Sequence, residues 1–333
     1  MSDALINPAV AGTMFVLSAA AAGVSIRKIH NENTQAPEES VAKKIPLMGV
    51  MSAFVFAAQM LNFTIPGTGS SGHLCGGMLL SVLLGPWCGF ISMISVLLIQ
   101  ALFFADGGLL ALGCNVWNMA FYGCFVGSFI IWKPMISTRV SKARIMAASI
   151  IACVLTLQMG AFSVTLETLI SGISELPFKF FVAAMQPIHL AIGAVEGLIT
   201  GAVLCFIYET RSELLWGVNS SKKTRMTLAS VLVVLAICSA VMGGGISLLA
   251  SEHPDGLEWS MEKIAGTSEL ESESLVLKKA ADIQDMTSVM PDYNLGKEET
   301  AAGKSASGLL GSLIVFAFTA GVAMIVRNKN KKS

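Results

Sequence analysis

The polar segment at residues 66–77 is the part of the chain best suited to bind a metal ion. It reads Pro66-Gly67-Thr68-Gly69-Ser70-Ser71-Gly72-His73-Leu74-Cys75-Gly76-Gly77. A neutral imidazole such as that of His73 can bind a divalent transition metal, and the hydroxyls of Ser70 and Ser71 stand nearby in sequence. Composition alone favours the alternative, which is a histidine in an ordinary surface loop. His73 is therefore a candidate metal ligand whose role depends on its surroundings.

A second polar group lies further along the chain. Asp106-Gly107-Gly108 precedes Asn115 and Asn118, and Asp-Gly-Gly is typical of a tight turn. The two asparagines are three residues apart and so share one side of a helix. We expect this turn to lie at the same face as His73, where Asn115 and Asn118 could hold its imidazole in one tautomer. Turn formation by itself is the alternative explanation of Asp106.

Two ionisable side chains, His189 and Glu196, stand within an apolar run, where such groups are costly. With Gly193 they form one helical stripe, and the glycines at Gly193, Gly197 and Gly201 allow another helix to approach closely. The stripe is either a relay for protons or metal ions, or a packing seam. Seven residues of helix separate His189 from Glu196 by about 10 Å, which favours the seam.

Composition and motifs exclude several classes of function. Twenty-two basic residues balance twenty-two acidic ones, so no net positive field attracts nucleic acid. The seven cysteines form no CxxC pair, which argues against a disulfide framework or a zinc ribbon. Gly303-Lys304-Ser305 is not a phosphate-binding loop, because Glu298 stands where the first glycine is required. No nucleophile and base stand at a recognisable spacing, so we expect neither nucleotide binding nor catalysis.

Long apolar runs dominate the sequence and indicate an integral membrane protein. Hydrophobic residues make up 54% of the 333 residues and charged residues 13%, and the mean hydropathy is +0.69. A helix needs about 20 apolar residues to cross the hydrocarbon core of a bilayer. Such runs cover residues 7–26, 46–64, 76–105, 109–132, 145–170, 181–208, 227–250 and 308–326. The expected fold class is an all-α integral membrane protein.

The basic residues set the expected topology, because lysine and arginine concentrate in short cytoplasmic loops. Sixteen of them form four groups, at 27–44, 133–144, 211–225 and 327–332. All four groups share one side only if the run at 76–105 crosses twice, and Gly85-Pro86 provides a break within it. The sequence thus predicts nine crossings of the cell (inner) membrane, with the N-terminus outside and the C-terminus in the cytoplasm.

A polar cytoplasmic linker at 209–226 divides the chain into two modules. Residues 1–208 form a membrane module of about seven crossings, and residues 227–333 form a module of two. Between the last two spans, residues 251–307 hold twelve acidic residues against five lysines. We expect a small extracytoplasmic domain or a partly disordered loop there. Its charge could gather cations, and a solvated tether explains it equally well.

Several motifs, in one order, resemble a known family. They are DALINPAV at 3–10, GSSGHL at 69–74, DGGLLALGCN at 106–115, HLAIGAVEG at 189–197, PDGLEW at 254–259 and GLLGS at 308–312. The first four resemble the substrate-capture subunit of cobalt and nickel transporters of the energy-coupling-factor type. The last two resemble the small second membrane subunit of that system, which is fused to it here. The resemblance covers nearly the whole chain, and its seven-plus-two span count agrees with the topology above.

The resemblance implies a metal site of four nitrogens near the outer face. Family members begin Met-His, and they hold the metal by the terminal amine, the amide and imidazole of that histidine, and an imidazole corresponding to His73. Four nitrogens in a plane suit nickel, whereas zinc does not prefer that geometry. This sequence begins Met1-Ser2-Asp3 and has no histidine before His30, so Met1 and Ser2 supply an amine and an amide but no imidazole. We therefore expect the true start to lie two codons upstream, at a Met-His pair.

The function that the resemblance implies is high-affinity uptake of Ni²⁺ or Co²⁺ as substrate, for cobalamin or nickel-enzyme assembly. The implied partners are a membrane coupling subunit and cytoplasmic ATPase subunits. The small-residue face from Ala19 to Gly23 and the seam of Gly193, Gly197 and Gly201 are candidate docking surfaces. The alternative function is a stand-alone carrier of a cation or small solute that uses a His189 and Glu196 relay.

Overall fold

The computed structural model describes residues 1–218, 224–268, 270, 274–295 and 300–328 of the chain. Seven helices in those ranges are long and apolar enough to cross a membrane, and one shorter apolar helix joins them. Strand structure is confined, within the same ranges, to a single two-stranded hairpin. The predicted all-α membrane fold is therefore confirmed. Lys222, Lys223 and the basic residues at 329–332 lie outside the described ranges.

The first module is a bundle of helices with the hairpin inserted after the second of them. Its elements are α1 (Pro8–Gln35), α2 (Glu38–Gln59), β1 (Phe63–Ile65), β2 (Ser70–Gly72), α3 (Gly77–Leu84), α4 (Pro86–Phe103), α5 (Leu112–Ser137), α6 (Lys142–Ser171) and α7 (Phe178–Arg211). Polar side chains cap two of these helices at their first turn. The side chain of Asn7 caps α1 by accepting a hydrogen bond of 2.9 Å from the backbone nitrogen of Val10, and Ser141 caps α6 in the same way. The middle of α5 has the wider turns of a π-helix.

The predicted break at Gly85-Pro86 is confirmed, and its cause lies in the backbone. Gly85 has a φ of +83°, which residues with a side chain avoid, and Pro86 occupies the first position of α4. A Cβ on Gly89 would lie 2.7 Å from the Cα of Ser81, so α3 packs back closely on α4. The eight residues of α3 rise only about 12 Å, which is less than a bilayer core. The run at 76–105 is thus a helical hairpin whose first limb is half a span.

The second module consists of α8 (Leu228–Gly244), α9 (Gly256–Ala265), α10 (Leu275–Thr287) and α11 (Ala301–Asn328). The helices α8 and α11 cross closely, because a Cβ on Gly308 would lie 2.0 Å from the carbonyl oxygen of Gly243. Asp255 and Glu258 form a reciprocal capping box at the start of α9. The described part of the acidic loop at 251–307 therefore contains the helices α9 and α10, and α11 begins before the predicted residue 308.

Basic residues of all four groups lie at one face of the protein. Their contacts join Arg327 to Glu38, Lys142 to Glu209 and Lys133 to the ring of Trp216, and bring the backbone of Arg225 to Thr210. Lys44 and Arg327 line one small cavity with Asn33, which lies near the end of α1. Met1 precedes the other end of that helix, across its 28 residues. The N-terminus and this basic face therefore lie on opposite sides of the bundle.

Candidate metal-binding site

His73 lies in a protein-lined loop between the hairpin and α3. The antiparallel pairing of β1 with β2 places Phe63 opposite Gly72, and the turn between the strands uses Gly67 and Gly69 in left-handed conformations. Ser70 and Ser71 are fully buried, and His73 is half-buried. Ser70 to Gly72 thus line protein rather than lipid, whereas Pro66, Gly67 and Gly69 at the turn are exposed.

The backbone that follows His73 is fixed by Glu196. The carboxylate of this residue, which is 1% exposed, accepts hydrogen bonds from the backbone nitrogens of Gly76 at 2.9 Å and Cys75 at 3.1 Å. Buried amides need partners, and an ionised acceptor forms a strong bond with them. Gly76 has a φ of +85°, and a Cβ there would lie 2.4 Å from Val55. Glu196 is therefore a positioning residue for the His73 loop.

The ring of His73 has one nitrogen engaged, and no hydrogen bond among the described residues uses the other. Its Nδ1 lies 3.1 Å from the carbonyl oxygen of Leu74. A carbonyl oxygen only accepts hydrogen bonds, so Nδ1 carries the hydrogen and Nε2 keeps the lone pair that a metal requires. The prediction gave this orienting role to Asn115 and Asn118, and in the structure the backbone of Leu74 performs it.

The N-terminal segment folds back against the Asp106-Gly107-Gly108 turn. The carbonyl oxygen of Met1 accepts hydrogen bonds from the backbone nitrogen of Gly108 at 3.1 Å and from Nδ2 of Asn115 at 3.2 Å. Asp3 accepts a bond of 2.8 Å from the backbone nitrogen of Ala111. A Cβ on Gly108 would lie 1.8 Å from the carboxylate of Asp3. This glycine is therefore required by the approach of the N-terminus, in addition to the turn itself.

Two cavities bring the predicted residues together. The larger, of about 1070 Å³, lies between the two modules, and the smaller, of about 140 Å³, lies among α5, α6 and α7. Met1, His73 and Asn115 line both of them, and Ser2 and Asp106 line the larger. Asn118 and His189 line the smaller. The N-terminus, the His73 loop and the α5 asparagines therefore converge on one region.

This region differs from a site built from side chains alone. Within the described residues, no three His, Cys, Asp or Glu side chains stand together as a ligand set for a metal. The nitrogen donors that line the small cavity include the imidazole of His73 and the N-terminal residue. A metal bound there would need nitrogens of the N-terminal segment beside the imidazole of His73, and the ligand set that the family resemblance implies combines both types.

His189 and Glu196 have separate partners. Nδ1 of His189 lies 2.8 Å from the carbonyl oxygen of Met185, one turn earlier on α7. Its ring faces the second module, since a Cβ on Gly256 would lie 3.0 Å from Cε1 of His189. No hydrogen bond among the described residues joins His189 to Glu196. The stripe therefore packs and positions neighbouring segments, and the polar contact that a relay would require is not formed there.

The glycines of α7 face inward, which corrects their proposed role in docking. A Cβ on Gly197 would lie 2.4 Å from the Cα of Ile150 on α6, and one on Gly193 would lie 2.9 Å from the Cα of Val154. A Cβ on Gly201 would lie 2.5 Å from Sδ of Met146 on the same helix. The seam thus belongs to the internal packing of the first module. Ala19 and Gly23 are exposed on α1, and a Cβ on Gly23 would meet nothing within 4 Å. That face remains open for a partner.

The second module contacts the His73 loop directly. The backbone nitrogen and the hydroxyl of Ser71 donate hydrogen bonds of 2.8 Å to the carbonyl oxygens of Pro254 and His253, respectively. Nε1 of Trp259 donates a bond of 3.0 Å to the carbonyl of Thr68. Ser70, in contrast, bonds within the hairpin, to the carbonyl of Ser71. The PDGLEW segment therefore covers the hairpin that precedes His73.

One buried carboxyl group was missed by the sequence analysis. Glu167 on α6 is 6% exposed, and its Oε2 accepts a hydrogen bond of 2.8 Å from Nδ2 of Asn118. Its position inside the apolar run at 145–170 is the signal that could have identified it, because ionisable groups there are rare. Asn118 is thus held by α6, on the wall of the small cavity.

Glu258 lines the large cavity near Asp255 and also belongs to the capping box of α9. Partial burial, followed by the charge of Asp255, raises the pKa of Glu258 above its ordinary value. The outer part of the protein therefore contains a carboxyl group whose ionisation is opposed by its surroundings.

Known proteins match both modules. Residues 1–214 match the family CbiM, described as the cobalt uptake substrate-specific transmembrane region, and residues 229–328 match the PDGLE domain. A putative fused nickel transport protein NikMN of Archaeoglobus fulgidus is 31% identical over 315 residues, which are 95% of each chain. A probable fused nickel transport protein LarMN of Lactiplantibacillus plantarum is 29% identical over 79% of this chain and 78% of its own.

A solved structure agrees with these matches. The crystal structure of a transition metal transporter is 30% identical, with a TM-score of 0.52, and the match covers 62% of this chain and 91% of that one. The chain therefore belongs to the CbiM family of cobalt uptake substrate-specific transmembrane proteins and carries a fused PDGLE domain.

Proposed function

We propose that this chain captures Ni²⁺ or Co²⁺ at its outer face, as the substrate-binding membrane component of an energy-coupling-factor transporter. The observation that carries the proposal is that His73 and the N-terminal residue line one small cavity, with Nε2 of His73 in no hydrogen bond among the described residues. Relatives along most of the chain are named as nickel transport proteins, and others that match part of it are named as cobalt transport proteins. The proposed substrate is therefore a divalent transition metal.

The proposed site combines His73 with nitrogens of the N-terminal segment. Asn115 and Gly108 bind the carbonyl oxygen of Met1, so this segment is held before a metal arrives. Residues placed before Met1 would enter the same region, and a Met-His pair there would add an imidazole and an amide nitrogen. A planar set of nitrogens suits Ni²⁺ and also accommodates Co²⁺.

ATP-driven uptake would require partners, since the sequence contains no recognisable motif for nucleotide binding. We propose a membrane coupling subunit and cytoplasmic ATPase subunits, with Ala19 and Gly23 on the docking face. The basic face of the bundle supports a cytoplasmic C-terminus and an N-terminus outside the cell membrane, because basic loops are retained in the cytoplasm. The metal would then be captured from the outside and released inward.

A stand-alone carrier would need His189 and Glu196 to exchange a proton or a cation. Glu196 instead binds two backbone amides of the His73 loop, and His189 binds a carbonyl of its own helix. The capture function uses the Glu196 contacts, because they hold the loop that carries His73, whereas the His189 bond stays within α7. We therefore favour capture over the carrier.

Metal binding by the purified full chain tests the proposal. Isothermal titration with Ni²⁺ and Co²⁺ would compare the chain starting at Met1 with a chain that carries Met-His before it, each with and without His73→Ala. His30→Ala, at the other end of α1, is the matched control. We expect tight binding only with the longer start and an intact His73. Equal binding by both starts, or binding that survives His73→Ala, would show that the ligands lie elsewhere.

A further inference from the structure

Tyr293 of the second module inserts between aromatic rings of the first. Its ring stacks on Phe104 with centroids 4.8 Å apart, and it lies 6.0 Å from the ring of Phe56. Backbone hydrogen bonds of 3.0 Å from Met290 to Phe103 and from Asp292 to Phe104 anchor the same segment to the end of α4. Tyr293 is therefore placed by both packing and backbone pairing.

The hydroxyl of Tyr293 begins a chain of hydrogen bonds that ends at the His73 loop. It bonds to Oδ2 of Asp106 and to Nε2 of Gln100, the latter at 3.1 Å. Nε2 of Gln100 also lies 3.1 Å from Oε1 of Gln59. Nε2 of Gln59 donates a bond of 2.9 Å to the carbonyl oxygen of Cys75, two residues after His73. We call Tyr293, Gln100, Gln59 and the Cys75 carbonyl the Tyr293 network.

In the Tyr293 network, only one assignment of donor and acceptor fits each hydrogen bond. The amide nitrogen of Gln100 has two hydrogens, and both are used, one toward Tyr293 and one toward Gln59. The tyrosine oxygen therefore accepts from Gln100 and donates its own hydrogen to Asp106. Gln59 then has its amide oxygen occupied and its nitrogen directed to Cys75. Gln59 and Gln100 are 6% and 4% exposed, and both line the large cavity.

Two further observations support a fixed Tyr293. Burial, followed by the charge of Asp106, raises the pKa of Tyr293 well above its ordinary value, so the hydroxyl stays protonated and remains a donor at physiological pH. Asp292 and Tyr293 have φ values of +49° and +57°. Residues with a side chain adopt such values at a cost, which the surrounding contacts must offset.

We infer that Tyr293 is a positioning residue for metal capture, which acts through Gln100 and Gln59 on the backbone next to His73. The backbone of Cys75 is then held from two sides, by Glu196 at its nitrogen and by the Tyr293 network at its carbonyl. The second module thereby controls the loop that carries the metal ligand of the first. This inference rests on the proposed function for its effect on metal, and on the hydrogen bonds alone for its effect on the loop.

Tyr293→Phe tests the inference, because it removes the hydroxyl and keeps the stacked ring. Two quantities are measured on the full chain. The first is the affinity for Ni²⁺ and Co²⁺, measured with whichever of the two N-terminal starts binds these metals. The second is amide hydrogen exchange in peptides that cover residues 70–77. We expect the affinity to fall roughly tenfold and exchange in this loop to become faster. Gln100→Leu should have the same effects, and the double variant should add little, since both changes break one chain of bonds.

Tyr122→Phe is the matched control. The hydroxyl of Tyr122 bonds to Ser163 and Trp117 and has no part in the Tyr293 network. The metal affinity and the amide exchange at residues 70–77 should therefore stay unchanged. A Tyr293→Phe variant with lower thermal stability but unchanged affinity and exchange would overturn the inference, because the hydroxyl would then have a merely structural role. If the unaltered chain binds neither metal, the proposed function fails. The exchange measurement alone then decides whether the Tyr293 network holds the His73 loop.

Discussion

The carboxylate of Glu196 lies 2.9 Å from the backbone nitrogen of Gly76, and this contact joins the middle of α7 to the loop that carries His73. An ionisable side chain in a membrane helix commonly marks a site of transport. Here the carboxylate serves the proposed site indirectly, because it satisfies backbone amides that the loop exposes inside the protein. The backbone of the loop is thereby fixed, and with it the position of His73.

Glu196→Gln should weaken this support. The amide nitrogen of glutamine cannot accept a hydrogen bond, so one of the two backbone nitrogens at Cys75 and Gly76 loses its partner. We expect a loss of about 1–3 kcal/mol in the free energy of unfolding and a roughly tenfold lower metal affinity. Thermal unfolding and titration with Ni²⁺ would measure both. Glu209→Gln, which removes a surface ion pair on the same helix, should change neither, and an unchanged affinity in Glu196→Gln would contradict the positioning role.

Gly197→Ala should separate α6 from α7. The added Cβ would lie 2.4 Å from the Cα of Ile150, and overpacking of this kind costs about 1–3 kcal/mol. Gly23→Ala adds the same methyl group to an open position on α1, where alanine is the better helix former by about 1 kcal/mol. Thermal unfolding in one detergent would compare the two. Equal melting temperatures would show that the seam tolerates a side chain.

Gly23→Leu should affect transport without affecting capture. A large side chain on this exposed face would prevent close approach of a partner helix, while the proposed site lies elsewhere in the bundle. In cells that also produce the coupling and ATPase subunits, we expect uptake of Ni²⁺ to be lost, although the purified variant should bind metal normally. Unimpaired uptake would mean that the partners dock on another face.

The pH dependence of stability should change in Glu258→Gln. Because the pKa of Glu258 is higher in the folded chain than its ordinary value of about 4.3, its protonated form stabilises the fold. This stabilisation is complete below the ordinary pKa and is lost as the pH rises through the raised one. Relative to the variant, the unaltered chain should therefore lose melting temperature as the pH rises above the ordinary pKa of about 4.3.

The control for this measurement is Glu262→Gln, an exposed position on the same helix. The melting temperature of this variant should follow that of the unaltered chain across the pH range. A constant difference between the unaltered chain and Glu258→Gln would show that the carboxyl group ionises normally beside Asp255.

The apolar runs and their polar interruptions were readable in the sequence because they are local properties. The length of a run decides whether a helix can span a bilayer, and Gly85-Pro86 breaks a helix wherever it stands. The polar composition of residues 66–77 likewise singled out the segment that carries His73. The spacing of the basic groups predicted a single basic face, and the described residues of those groups confirm it.

Tertiary structure alone decided which distant groups meet. The α7 glycine spacing predicted a close helix contact, but periodicity does not say which helix approaches, and the partner is α6. Gly108 fits a turn locally, yet its lack of a side chain is required by Asp3, which precedes α1 and lies more than one hundred residues earlier in the chain. The bond between Gln100 and Tyr293 spans 193 residues and joins two modules. Such contacts depend on how apolar helices pack, and an apolar surface carries little information about its partner until the chain is folded.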